Sequence, residues 1–283
     1  MSDRRPMLFR GFYPGDCRQQ IGEFLATYRP PEGIETQARA AVVPHAGWAY
    51  SGGVAARTLK ALAEGVKPEV LILLGAVHRE PLAVSAMYPS GDWETPLGPV
   101  TVAAELAVEV HGALEGLVEL NAAAHSSEHS LEVLLPFLHE IFPQVPVLPL
   151  MIPPEASPEE IGKRLGRLLQ GSKAVAVAST DLTHYGVRFG FTPAGTGTSA
   201  HDWMRENDRR ILNLAQNLDA EKIPPEALTQ RNACGSGALA AVTAFAREQG
   251  ARRGTVLEHT DSYTVGGEKD PFEMAVGYAG ILL

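Results

Sequence analysis

Cysteine is almost missing from this chain, which has only Cys17 and Cys234 in 283 residues. Two cysteines so far apart, in a chain with no export signal, read as reduced thiols rather than as a disulfide. Positive charge is also short: 24 Lys and Arg stand against 33 Asp and Glu, a formal charge of −9. Nucleic acid and acidic membranes both need a basic face to neutralise phosphate, so neither is an expected partner. No apolar run reaches the length of a signal-peptide core near the N-terminus or of a transmembrane helix elsewhere, which predicts a cytoplasmic protein free in solution. Repeats and low-complexity tracts are lacking too. With 45% hydrophobic and 20% charged residues there is ample material for a core, and one domain over residues 1–283 is the expectation.

What the chain does have is an alternation of apolar strands and amphipathic helices. After an irregular arm over residues 1–35 with one helix near 16–28, a strand over 38–44 runs into AVVPHAGWAYSGG and stops on His45. Gly47, Gly52 and Gly53 read as a tight turn, with the helix VAARTLKALAEG behind them. EVLILLGAVH is a continuous apolar run of the kind found in a strand covered on both faces, and it ends on His78. A hairpin-like excursion, a helix containing His111, and the segment AAAHSSEHSLEVLLPFLHEIF follow. In that segment Ser126 or Ser127 is a candidate helix cap, and Pro136 a kink or the start of the regular helix. VPVLPLMI is another strand; Ser157, Pro158 and Glu160 then spell a capping box with a first-turn proline. The strand over 173–179 leads to Thr180, Asp181 and His184. A Gly/Thr/Pro-rich loop over 186–200 reads as mobile, a long helix over 199–218 opens with His201 as a cap or surface residue, and two strands near 255–263 and 272–283 close the sheet across the turn VGGEKD. The pattern predicts an α/β fold, an αβα sandwich around a mostly parallel sheet.

Parallel strands joined by crossover helices end on one side of the sheet, so His45, His78, Asp181 and His184 are expected to converge. Cys234 stands just before a glycine-flanked helix start, where the positive end of the backbone dipole favours thiolate. Two readings of it are open: a nucleophile with His184 or His45 as base, or the soft third ligand of a metal held by two histidines. Three ligands from separate strand ends leave coordination positions free, as a catalytic metal site requires. With Asp181 as third ligand the set is a two-His, one-carboxylate triad for iron. With Cys234 it suits copper, zinc or iron.

PHAGWAYSGG around His45, LLGAVH ending at His78, EHSLEVLLPFL from Glu128, STDLTHYG from Ser179 and CGSGALAA from Cys234 resemble, in that order, the Memo family, known in bacteria and archaea as protein B of the AmmeMemoRadiSam system. That family is similar in fold to the class III extradiol dioxygenases, which hold iron(II) with two histidines and a glutamate. The resemblance implies that His45, His78 and Cys234 are the metal ligands, that His184 is the acid/base residue with Asp181 beside it, and that His129 lines the same cleft. Cys234 stands where the dioxygenases have glutamate, so ring cleavage is not inherited with the fold. The implied cofactor is one iron(II) or copper ion, with zinc also compatible. The implied activity is a dioxygenase-like oxidoreductase acting on a small, chelating substrate. Two rivals predict other behaviour: a non-catalytic scaffold holding a peptide or protein in the cleft, including partners from the AmmeMemoRadiSam system, and a hydrolase with Cys234 as nucleophile. Arg79 reads as a rim residue or as a partner for an anionic substrate group near the metal, and Trp48 and Tyr50 as either lining the pocket or packing beneath it.

Overall fold

The computed structural model describes residues 4–30, 38–79, 81–268 and 271–283. Parts of the arm and of the VGGEKD turn therefore lie outside the described residues. The strands along the chain are β1 (Arg4–Arg5), β2 (Ala40–Val43), β3 (Val70–Gly75), β4 (Ser85–Met87), β5 (Asp92–Trp93), β6 (Val100–Thr101), β7 (Val118–Leu120), β8 (Val147–Met151), β9 (Ala174–Ser179), β10 (His184–Tyr185), β11 (Thr255–Asp261) and β12 (Ala275–Leu282). The helices are α1 (Cys17–Ala26), α2 (Trp48–Gly65), α3 (Ala104–Ala113), α4 (Leu135–Ile141), α5 (Pro158–Leu168), α6 (Thr198–Gln216), α7 (Ile223–Gln230), α8 (Ser236–Glu248) and α9 (Ser262–Val265).

The main sheet has the order β10-β12-β2-β9-β3-β8-β4-β7, with β11 beside β12. Its centre, β2-β9-β3-β8, is parallel, while β12 and β4 join that centre antiparallel at either side. A hairpin of β5 and β6 recruits β1 into a separate three-stranded sheet. Successive residues of the central strands serve opposite faces. Ile72, Leu74, Ala176 and Ala178 enter a core shared with α3, α5 and α8, whereas Leu71, Leu73, Val175 and Val177 enter a second core shared with α1, α2 and α4. Two full apolar layers on one sheet give the three-layer αβα sandwich, and they explain why these strands read as unbroken apolar runs.

Several local expectations change. The helix after His45 begins at Trp48, so Gly52 and Gly53 lie inside α2 rather than in a turn. Gly52 is needed for packing: a Cβ there would stand 2.6 Å from the Phe24 ring of α1. The capping box at Ser157 does not form. Ser157 is left-handed at φ 52° and makes no cap hydrogen bond, and Glu160 turns outward to Arg164 at 2.7 Å. Ser126 donates to Ala123 within its own turn instead of capping α4, which starts with Pro136 in its first turn. His201 is neither cap nor surface residue; its Nε2 lies 2.8 Å from Asp261 Oδ2 and its ring stacks on Phe272. The loop over 186–200 is tied down: Arg231 donates to the Phe189 and Gly190 carbonyls and Tyr185 donates to Gly195. Among the described residues no helix is long and apolar enough to cross a membrane.

Candidate metal centre

The carboxyl ends of β2, β9 and β3 share one edge of the sheet, and the segments that follow them meet there. His45 stands just beyond β2, His78 just beyond β3, and Ser179 closes β9 ahead of Thr180 and Asp181. Cys234 arrives from the start of α8. Gly235 permits the approach, since a Cβ there would collide with the Ser179 carbonyl. The ligand-capable atoms of His45, His78 and Cys234 all lie within 4.8 Å of one another.

Hydrogen bonds decide which ring nitrogens are free. His45 is 1% exposed, and its Nδ1 lies 2.8 Å from Ser179 Oγ. The Ser179 hydroxyl donates its own proton to Ser130 O at 2.7 Å, so it accepts from Nδ1–H and leaves the Nε2 lone pair free. That lone pair faces Cys234 Sγ at 3.4 Å. His78 follows the same logic. Its Nδ1 lies 2.8 Å from Glu128 Oε1, an ionised carboxylate that can only accept, so Nε2 is again the open nitrogen. Glu128 is itself fixed, accepting from the backbone of His78 at 2.8 Å and of Ser130 at 2.8 Å. Two donors at zinc-like lengths on one tetrahedral ion lie about 3.5 Å apart for sulfur and nitrogen, so the Cys234–His45 spacing fits a shared ion.

Asp181 anchors the centre from behind. Its Oδ1 accepts from the backbone of His45 at 2.8 Å and of Ala46 at 3.3 Å, and its Oδ2 lies 3.9 Å from Nε2 of both His45 and His184. The Asp181 backbone N–H donates to Cys234 Sγ at 3.3 Å. His129 closes another side, its ring centroid 4.6 Å from that of His78 and 5.2 Å from that of His45. Phe12 of the N-terminal arm covers it at 4.8 Å, and Phe189 covers His184 at 5.1 Å.

Charge is distributed unevenly across this cluster. Burial alone would lower His78, but its hydrogen bonds with Cys234 and Glu128 outweigh burial and push the ring up to about 10. Burial would raise Glu128, yet the His78 contact wins and takes it down to about 2. The other imidazoles go the opposite way. Burial, and then the positive charge on His78, takes His129 and His184 each down to about 4 and holds His45 well below the usual imidazole range. Burial lifts Asp181 to about 6 against the pull of the His45 N–H. Glu128 and Cys234 therefore draw one positive charge to the His78 position, while the other rings stay neutral.

The structure brings His45, His78, Asp181 and His184, from behind strands, together with Cys234 from before α8 and His129 from the segment ahead of α4. Trp48 packs beneath, stacked on Phe137 at 3.8 Å and donating to Val133 O; Tyr50 is 52% exposed and Arg79 is exposed. Sequence reasoning gave Glu128 and Ser179 no role, although a glutamate directly before His129 and a serine ending a strand were visible. It also missed Glu132, which accepts from Arg5, from the Leu8 and Phe9 backbone and from the Tyr13 hydroxyl, and so seats the arm that carries Phe12. Cys17 is a buried free thiol lifted to about 11 by burial and lies in the core around α1.

Comparison with known proteins agrees with the motifs. The family described as Memo-like protein matches residues 4–282. A MEMO1 family protein of Thermococcus onnurineus is 33% identical over 99% of this chain and 98% of its own length. One from Pyrobaculum aerophilum is 34% identical over 100% of this chain and 99% of its own. Among solved structures, an uncharacterized protein from Escherichia coli K12 superposes with a TM-score of 0.52 at 14% identity, covering 85% of this chain and 99% of that one, which speaks to the fold alone.

Proposed function

Since the chain belongs to the Memo family, matched from residue 4 to residue 282, we propose that it is a metal-dependent oxidoreductase holding one iron(II) or copper ion on His45 Nε2, His78 Nε2 and Cys234 Sγ. The observation that carries this reading is that hydrogen bonds occupy Nδ1 of both rings and leave two nitrogens and a sulfur converging within 4.8 Å. Zinc suits the same donors. A bound ion would supply a Lewis-acidic, redox-capable centre with open positions for a small ligand.

The chain's own groups account for the proton chemistry. His184, neutral at pH 7 and about one-third exposed, acts as base towards a ligand in the cleft. Asp181, lifted to about 6, stabilises the imidazolium that results and shares its Oδ2 between His184 and His45. His129, with Phe9 and Phe12 against it, forms the arm-side wall of the cleft. The test is the metal content of protein purified without an affinity tag, compared with His45→Ala and Cys234→Ala. Retention of metal by both variants sinks the assignment.

The 3.4 Å separation of Cys234 Sγ and His45 Nε2 also favours a second reading, a thiol nucleophile with His45 as base. Under it a thiol-directed reagent labels Cys234 quickly, and chelators leave both labelling and activity unchanged. Under the metal reading labelling is slow and accelerates once metal is stripped.

A further inference from the structure

Glu128 is the ligand orienter for His78, but that role uses only one of the two imidazoles facing its Oε1. His78 Nδ1 lies 2.8 Å from this oxygen and His129 Nδ1 lies 3.4 Å from it. Ligand atoms of His78, Glu128 and His129 fall within 4.8 Å of one another, as close as those of the thiolate set. A gap of 3.4 Å is long for an N–H···O hydrogen bond. It is, however, the spacing of two donors on one tetrahedral ion, about 3.3 Å apart when each is about 2.0 Å from the metal, whereas the 2.8 Å His78 contact is a hydrogen bond that opens when its proton gives way to an ion.

Three further features fit a binding position. The carboxylate is held in place by the backbone N–H groups of His78 and Ser130, so little ordering is left for a ligand to impose. The two rings keep 24% and 19% of their side-chain surface exposed, which gives an ion a way in, while Glu128 is 1% exposed. His78 presents its other nitrogen to the thiolate set, so the two donor sets use opposite edges of a single ring.

We propose that His78 Nδ1, Glu128 Oε1 and His129 Nδ1 form a second metal site beside the thiolate site, bridged to it by the His78 imidazole. Two nitrogens and a carboxylate oxygen make a harder donor set than two nitrogens and a sulfur. The second site therefore takes a divalent ion such as iron(II), zinc or cobalt(II) and discriminates against copper(I), which goes to Cys234. Filling both sites displaces both ring protons of His78 to solvent, leaving a bridging imidazolate.

Cobalt(II) titration of metal-stripped, untagged protein tests this, because only the thiolate site gives a sulfur-to-cobalt charge-transfer band. Wild type is expected to take up two equivalents, one with that band and one without. Cys234→Ala retains one equivalent and loses the band; His129→Ala retains one equivalent and keeps the band. Circular dichroism confirms that each variant is folded, and Glu128→Gln, which keeps an acceptor for His78 but loses the anionic ligand, substitutes for His129→Ala if that variant unfolds. A single equivalent in wild type that carries the charge-transfer band overturns the proposal, as does a Cys234→Ala protein that binds no cobalt. If Glu128 only orients His78, His129→Ala leaves the stoichiometry unchanged, and that result also overturns it. Loss of the charge-transfer band in wild type with one equivalent retained would instead overturn the thiolate reading and leave this one standing.

Discussion

Histidines meet buried carboxylates in two regions of this protein, with opposite outcomes. Beside α6, His259 Nε2 lies 3.1 Å from Asp208 Oδ2 and His201 Nε2 lies 2.8 Å from Asp261 Oδ2. The remaining carboxylate capacity there goes to backbone: Asp208 accepts from Thr183 N and Asp261 from Tyr263 N and Thr264 N at the start of α9. In the cleft Glu128 and Ser179 take up the Nδ1 side of His78 and His45 instead, and the Nε2 side of each ring is left facing Cys234. The difference teaches that a His–carboxylate pair does not by itself mark a site. What marks a site is the set of lone pairs that remain once every hydrogen bond is counted.

The comparison breaks most visibly if the closed pairs turn out to matter for metal. Asp208→Ala is expected to cost about 3–5 kcal/mol of stability, because it strips His259 and the Thr183 N–H of a buried partner, with metal content per folded molecule unchanged. Denaturant unfolding beside elemental analysis checks both halves, and loss of metal from folded Asp208→Ala protein would erase the distinction.

His125 offers a third kind of burial, without a carboxylate on its ring. Its Nδ1 meets Asn121 O at 3.0 Å, and burial takes it down to about 4. Its folded value lies below the unfolded one near 6.5, so the unfolded chain binds more protons between those values. Stability is therefore present above pH 6.5 and is lost as pH falls towards 4, by about 3 kcal/mol from this group. His125→Phe should flatten that part of the stability profile, and an unchanged slope would show that the acid sensitivity lies elsewhere.

In the cleft, Cys234→Ala is expected to weaken binding at the thiolate site at least about a hundredfold, or about 2.7 kcal/mol, without loss of folding stability in the metal-free protein. Competition against a chelator of known affinity reads this directly. The smallest effect belongs to Ser179→Ala. Leaving the His45 Nδ1–H without its acceptor should weaken metal binding about tenfold, by the general size of such supporting contacts. An affinity equal to wild type would mean that the Ser179 hydroxyl does not set the His45 tautomer.

The legible part of the molecule is what one dimension records. Strand ends at His45, His78 and Asp181 were readable because apolar runs stop abruptly there, and parallel order brings such ends together. Cys234 was readable from its place before a helix. The capping box at Ser157 failed because a left-handed backbone at that residue turns the side chain away, and a sequence pattern carries no φ. Gly47 lies in the turn ahead of α2 as expected, but Gly52 and Gly53 fall inside the helix, because the reason for Gly52, the Phe24 ring of α1, lies 28 residues earlier in the chain.

The sequence by itself determined the αβα class, the edge of the sheet where the candidate ligands gather and most of the side chains that gather there, since period and strand ends are local properties. Only the tertiary structure decided which nitrogen of each histidine is free. That choice rests on Ser179 lying 134 residues from His45 and Glu128 lying 50 residues from His78. A hydrogen bond across such a separation exists only after the sheet has formed, and its direction is set by a third group, such as the Ser130 carbonyl, that no local pattern ties to it.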